Sequence, residues 1–153
     1  MRIFIIAVLC VAAGSLIIDG QPARDAKLQT QLRQLFPSAT TFSPKEGSPP
    51  HFSAYMSDSR TGAPTLLGFA FWTTELEPLE RGYDGPIKVL VGIDPKGLLT
   101  GVVVVEHHEP YGNFSIERAA FAAQFKGKNI RDAFRVGTDI DAVSRATITM
   151  TSA

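Results

Sequence analysis

One cysteine is present, Cys10, and it lies in the first apolar stretch of the chain. No thiol follows it. Disulfides, cysteine-ligated metal clusters and thiol catalysis are therefore excluded from the rest of the sequence. There is no run of Lys or Arg long enough to form a basic stripe. Lys plus Arg balance Asp plus Glu at 15 each, so nucleic acid is not an expected partner. Acidic tails, low-complexity tracts and internal repeats are also missing. No residue pattern suggests a substrate pocket with its own acid–base pair, and the chain does not read as an enzyme.

What is present fits one domain behind a targeting segment, since the chain has 153 residues of which 44% are hydrophobic. That apolar fraction allows a sizeable core. Arg2 supplies a minimal positive region, and Ile3 to Ala13 is an unbroken apolar run that extends less cleanly to Ile18. The run is short for a membrane span and right for the hydrophobic region of a signal peptide. Val11-Ala12-Ala13 offers a small-residue cleavage site. Residues 1–20 are thus expected to be a signal peptide or a retained N-terminal membrane anchor. Both place Gln21 onward outside the cytoplasm. Leu9 makes Cys10 a poor lipid acceptor, because a small residue is wanted before the cysteine.

Residues 24–153 are expected to form an α+β domain, a small antiparallel sheet with packed helices. Leu28, Leu32, Leu35 and Phe36 recur at helical spacing between Arg24 and Phe36, and Pro37 stops the pattern. Ser38 to Pro50 reads as a loop. His51 to Met56 and Thr65 to Trp72 read as strands around a turn at Ser57 to Pro64. Trp72 is expected in the core. Thr73 to Gly85 reads as a second loop. Ile87 to Ile93 and Leu98 to Glu106 then form a hairpin across the tight turn Asp94-Pro95-Lys96-Gly97. The uninterrupted apolar run Val102 to Val105 points to burial on both faces. Ser115 is the expected N-cap of a helix through Phe125, with Gly127 as its stop. Asp139 to Ala153 reads as a loop leading into a helix.

Three segments carry chemistry-bearing residues. The first is Gly82-Tyr83-Asp84-Gly85-Pro86 with the strand to Asp94. The second is Glu106-His107-His108-Glu109-Pro110-Tyr111-Gly112. The third is Asp141-Ala-Val-Ser144-Arg145-Ala146-Thr147, followed by Ile148-Thr149. Taken alone, the third is an ordinary set of turn and capping residues. A metal site at His107 and His108 is disfavoured, because adjacent strand residues point to opposite faces.

In this order the three segments resemble the FMN-binding domain family. Its members include the G subunit of the Rnf electron-transport complex, the C subunit of the sodium-pumping NADH:quinone reductase and the extracytoplasmic domain of NosR/NirI-type regulators. The wording from Pro86 to Asp94 and at Glu106 to Pro110 is nearest the NosR/NirI branch. The resemblance runs from about Leu35 to Thr147. It implies FMN as cofactor, attached through a phosphoester to Thr147 by a separate flavin transferase. It implies that the transferase recognises the motif opening at Asp141, that Ser144 and Ala146 shape the loop around Thr147, that Thr149 is a candidate hydrogen bonder to the flavin, and that His107, Glu109 and Gly112 belong to a turn closing over it. Arg145 stands where the family has Gly. If that position takes φ > 0, a side chain costs on the order of 1 kcal/mol, which pairing with the phosphate would offset.

By the same resemblance the protein is an exported, periplasmic electron carrier whose partners are membrane redox proteins or iron–sulfur modules. Two other readings stay open: a redox-sensing regulatory domain, and an interaction module without flavin. In the family the chain continues beyond the attachment loop. Here it stops at Ala153, as expected of a shortened product or one half of a split system.

Overall fold

A computed structural model describes residues 26–153. The expected targeting segment at residues 1–20 lies outside the described residues. Among the described residues no helix is long and apolar enough to cross a membrane.

The expected α+β class holds. Helix α1 (Ala26–Leu35) is followed by strands β1 (Thr41–Phe42), β2 (Phe52–Ser57) and β3 (Pro64–Trp72). A short helix α2 (Thr73–Leu76) leads towards β4 (Lys88–Ile93) and β5 (Leu99–Glu106). Then come a 3-10 turn at Gly112–Phe114, helix α3 (Ala119–Ala123) and helix α4 (Thr147–Ser152). The five strands form one antiparallel sheet in chain order, β1-β2-β3-β4-β5.

Each face of the sheet is covered by its own core. On one face Leu32, Leu35 and Phe36 of the α1 region pack against Phe52, Ala54, Ala70 and Leu90. Leu32 and Leu90 are wholly buried. Burying one leucine contributes about 1.5–3 kcal/mol, so this helical stripe suffices to dock α1. On the other face Val89 and Val102 meet Ile116, Phe121, Ile140, Ala146 and Met150. Val103 and Val105 pack on the first core, and Val102 and Val104 on the second. Burial on both faces is why this strand lacks the polar–apolar alternation of a one-sided sheet.

Trp72 packs edge-on against Phe52, with ring centroids 5.3 Å apart. The Lys88 ammonium sits 4.4 Å from the centre of its ring. It belongs to the α1 face, as expected of a core aromatic. In the hairpin turn, Asp94 Oδ1 accepts from the Lys96 and Leu98 amides at 2.8 and 2.9 Å, and Gly97 takes a φ of 82°.

Four local expectations need correction. The stretch Ser38 to Pro50 contains the short edge strand β1 as well as loop. Thr73 to Gly85 contains α2 as well as loop. Ser115 is not an N-cap. Its hydroxyl donates backwards to the Tyr111 carbonyl at 2.7 Å, and the side chain is buried. Arg118 is extended (φ −72°, ψ 138°), so the helix begins only at Ala119. Burial of Ser115 and Ile116 outweighs the capping preference that the sequence alone expresses. Helix α3 ends at Ala123 with Gln124 as its C-cap, and Gly127, at φ 82°, lies in the turn that follows rather than at the helix end.

Candidate functional site

Antiparallel pairing assembles the site. Lys88 opens β4 and Glu106 closes β5, and the two residues are partners across the ladder. The segments before Lys88 and after Glu106 therefore leave the sheet at the same end. Gly82 to Gly85 and His107 to Gly112 meet there, although they lie far apart in the chain. Gly82 closes a tight turn by donating its amide to the Gly85 carbonyl at 2.7 Å.

Glu109 is the hub of this end, and it is buried. Its carboxylate accepts from the Tyr83 amide at 3.1 Å and the Asp84 amide at 3.0 Å. It also accepts from the Thr149 hydroxyl of α4. Burial alone would raise this carboxyl, because a charge in a low dielectric is disfavoured. Donation from Thr149, Asp84 and Tyr83, with the nearby His107 acting in the same direction, outweighs burial and holds Glu109 below its ordinary range.

Both ring nitrogens of His107 are engaged. Nδ1 accepts from the Glu109 amide at 3.1 Å, and Nε2 lies 2.9 Å from Glu117 Oε1. These contacts require two bare backbone positions. A Cβ at Gly82 would stand 2.4 Å from Glu109 Oε1, and one at Gly112 would stand 2.1 Å from His107 Cε1. Gly112, expected near the flavin, thus acts here as the point of closest approach to His107. Thr149, expected as a flavin hydrogen bonder, spends its hydroxyl on Glu109.

Helix α4 sits over this hub. Ala146 and Met150 are anchored in the core, and Thr149 is buried. Thr147 and Ile148 are left on the outside. Around Thr147 lies an open cavity of about 280 Å³ lined by Tyr83, Tyr111, Arg145, Ala146, Thr147, Ile148 and Thr149. Four of the expected residues, Arg145, Ala146, Thr147 and Thr149, therefore meet in one cavity. His107, Glu109 and Gly112 form the layer that supports it. Asp141 and Ser144 are exposed and do not line it, although the Asp141 amide ties the approach to Gln124 Oε1 at 2.6 Å.

Arg145 has a φ of 69°, the left-handed conformation in which glycine is at ease. Tyr83 and Tyr111 were not singled out from the sequence, though both stand within the motif segments. Their signal was a large aromatic between glycines, in Gly82-Tyr83-Asp84-Gly85, and one beside the turn glycine, in Tyr111-Gly112. Both residues are exposed, Tyr83 at 70% and Tyr111 at 42%, and the Tyr111 ring rests at a tilt on Phe114 with centroids 5.3 Å apart.

Residues 82–153 match the FMN-binding domain. Over this segment the chain is similar to the FMN-binding domain family. The match covers all three motif segments, β4, β5 and α4, and FMN is the cofactor it brings.

Beyond this segment, the chain is 28% identical over 155 aligned residues to the regulatory protein NosR of Pseudomonas aeruginosa, covering 92% of this chain and 21% of that protein. The NosR of Stutzerimonas stutzeri is 29% identical over 157 residues, covering 96% of this chain and 20% of that protein. The G component of an ion-translocating oxidoreductase complex from Haemophilus influenzae is 61% identical over 47 residues, covering 31% of this chain and 21% of that protein. The chain thus spans about a fifth of the length of these curated relatives.

The residues around Thr147 suit FMN on their own chemistry. The cavity offers a free hydroxyl, one guanidinium and two accessible aromatic rings, the donor set that a phosphate and a flat ring system would use.

Proposed function

We propose that this domain carries FMN joined through a phosphoester to Thr147 and relays electrons on the extracytoplasmic side of a membrane. FMN supplies one- and two-electron redox chemistry when bound. The observation that carries the reading is the placement of Thr147. Its hydroxyl opens into a cavity with Arg145, Tyr83 and Tyr111, while Ala146, Thr149 and Met150 beside it are buried. A hydroxyl presented on a helix that the core holds in place can be reached by another enzyme without unfolding the domain.

Among the described residues no acid or histidine lines the Thr147 cavity, and attachment would be made by a separate flavin transferase. The Thr147 oxygen would attack the flavin-side phosphorus of an activated flavin nucleotide. The pyrophosphate bond would break, the nucleotide would leave, and the hydroxyl proton would pass to a base on the transferase. The exposed Asp141 and Ser144 are available for that enzyme to recognise. The domain is taken to run from residue 24 to 153, and the apolar segment at residues 1–20 supports export as a signal peptide or anchor. Its redox partners would be membrane redox proteins or iron–sulfur modules, as the family resemblance implies, and one relative is a subunit of an ion-translocating oxidoreductase complex.

A second reading has one finding in its favour. The two relatives that cover nearly the whole chain carry the name regulatory protein, so the flavin could bias a partner's conformation rather than pass electrons on.

Intact mass and visible absorbance of the exported chain, co-expressed with a flavin transferase, test the proposal. The expected result is added mass equal to one FMN residue, lost in Thr147→Ala. Yellow protein of unmodified mass would leave FMN bound without the covalent bond. Colourless protein of unmodified mass would overturn the flavin-carrier reading and favour an interaction module.

A further inference from the structure

Arg145 combines three properties that an ordinary surface arginine does not. Its backbone is left-handed, at φ 69°, a conformation that a side chain disfavours through contact of Cβ with the following carbonyl oxygen. Its guanidinium forms no ion pair or hydrogen bond with other described residues. It is also the one charged residue among the described residues lining the Thr147 cavity. Strain at a residue that gains nothing from its protein surroundings is the pattern expected where the gain comes from a ligand.

We infer that Arg145 is a phosphate-recognition residue, which selects flavin carrying a 5′-phosphate over flavin lacking one and supplies the counter-charge beside Thr147. This rests on the flavin reading given above. The electrostatic argument is local. Glu109 already places a buried carboxylate behind Thr149. An anion entering the same cavity meets that charge, and among the described residues the cavity lining holds no other cation to offset it. A planar guanidinium can donate two parallel N–H bonds to phosphate oxygens. Where glycine at this position would depend on backbone alone, Arg145 adds charge and so makes retention of the flavin sensitive to the phosphate.

Thr147→Ala, which keeps flavin non-covalent, provides the background for the test. FMN and riboflavin are titrated by fluorescence quenching into the full chain carrying Thr147→Ala alone, with Arg145→Gly, or with Arg145→Lys. In the Thr147→Ala chain FMN should bind roughly tenfold tighter than riboflavin, the size of one charge-assisted bond, and raised salt should shrink the difference. Arg145→Gly should abolish the preference and leave riboflavin unchanged, while Arg145→Lys keeps part of it. The melting temperature of the Arg145→Gly chain should not fall, since glycine suits the left-handed backbone. An undiminished preference in the Arg145→Gly chain, or equal loss of both flavins, overturns the inference. If the Thr147→Ala chain binds neither flavin while the unmutated chain still gains FMN mass, the inference fails and the flavin-carrier proposal stands. If the unmutated chain gains no flavin either, both fall.

Discussion

The Thr149 hydroxyl donates to the buried Glu109 carboxylate across 40 positions of sequence. Glu109 also holds the Tyr83 and Asp84 amides. One carboxylate therefore fastens helix α4 to the turn that enters β4. Thr149→Val keeps the shape and removes the donor. Leaving a buried charge short of one bond costs about 1–3 kcal/mol, and Thr149→Ser should recover most of it. Chemical denaturation measures both. A valine variant as stable as the parent would mean that the contact contributes nothing.

Acid stability should depend on the same carboxylate. Glu109 titrates below its ordinary 4.5 in the folded chain. The stability it contributes is complete above that ordinary value and is lost as pH falls through the lower folded value. Glu109→Gln should therefore flatten the pH dependence below about 4.5 while lowering stability near neutrality. Thermal melts across the acid range up to neutrality would show it. Parallel acid limbs for the two proteins would assign the acid sensitivity to other groups.

Gly112→Ala should be harmful because of His107. The new methyl carbon would stand 2.1 Å from His107 Cε1. The ring must move, and its bonds to the Glu109 amide and Glu117 go with it. Overpacking of this kind costs about 1–3 kcal/mol. Adding His107→Ala removes the clash, so the double variant should be less destabilised than the sum of the single ones. Strict additivity in denaturation midpoints would separate the two positions.

Tyr83 and Tyr111 should matter to flavin and little to folding. Their rings are 70% and 42% exposed, and surface substitutions of this type usually change stability by about 0.5 kcal/mol or less. Tyr83→Leu and Tyr111→Leu should keep the melting temperature and weaken quenching of flavin fluorescence, since stacked aromatics are lost. Unchanged quenching in both would place the flavin ring elsewhere on the domain.

Several parts of this protein were legible in its residues. The apolar spacing at Leu28, Leu32 and Leu35 specified α1, since only a helix puts those positions on one side. Asp94 to Gly97 specified the hairpin turn, because the side chain of Asp94 and the backbone freedom of Gly97 are local properties. The valine run of β5 signalled two covered faces. The ordered motifs pointed to FMN, and the arginine at a glycine position raised the question of φ that the backbone then answered.

Other features depended on contacts that sequence distance hides. Ser115 had the side chain of an N-cap but lost that role to burial against the core. Thr149 and Glu109 each looked like flavin ligands. Their partnership became visible only when the sheet brought the two ends of β4 and β5 together and α4 closed over them. Tyr83 and Tyr111 resemble core aromatics in composition, and only the fold leaves both beside Thr147 and open to solvent. Short-range chemistry therefore determined most of the elements, and the resemblance of the ordered motifs pointed to the cofactor. Tertiary packing decided which polar groups satisfy one another and which remain free for a ligand, because most buried polar groups find their partner across the fold rather than along the chain.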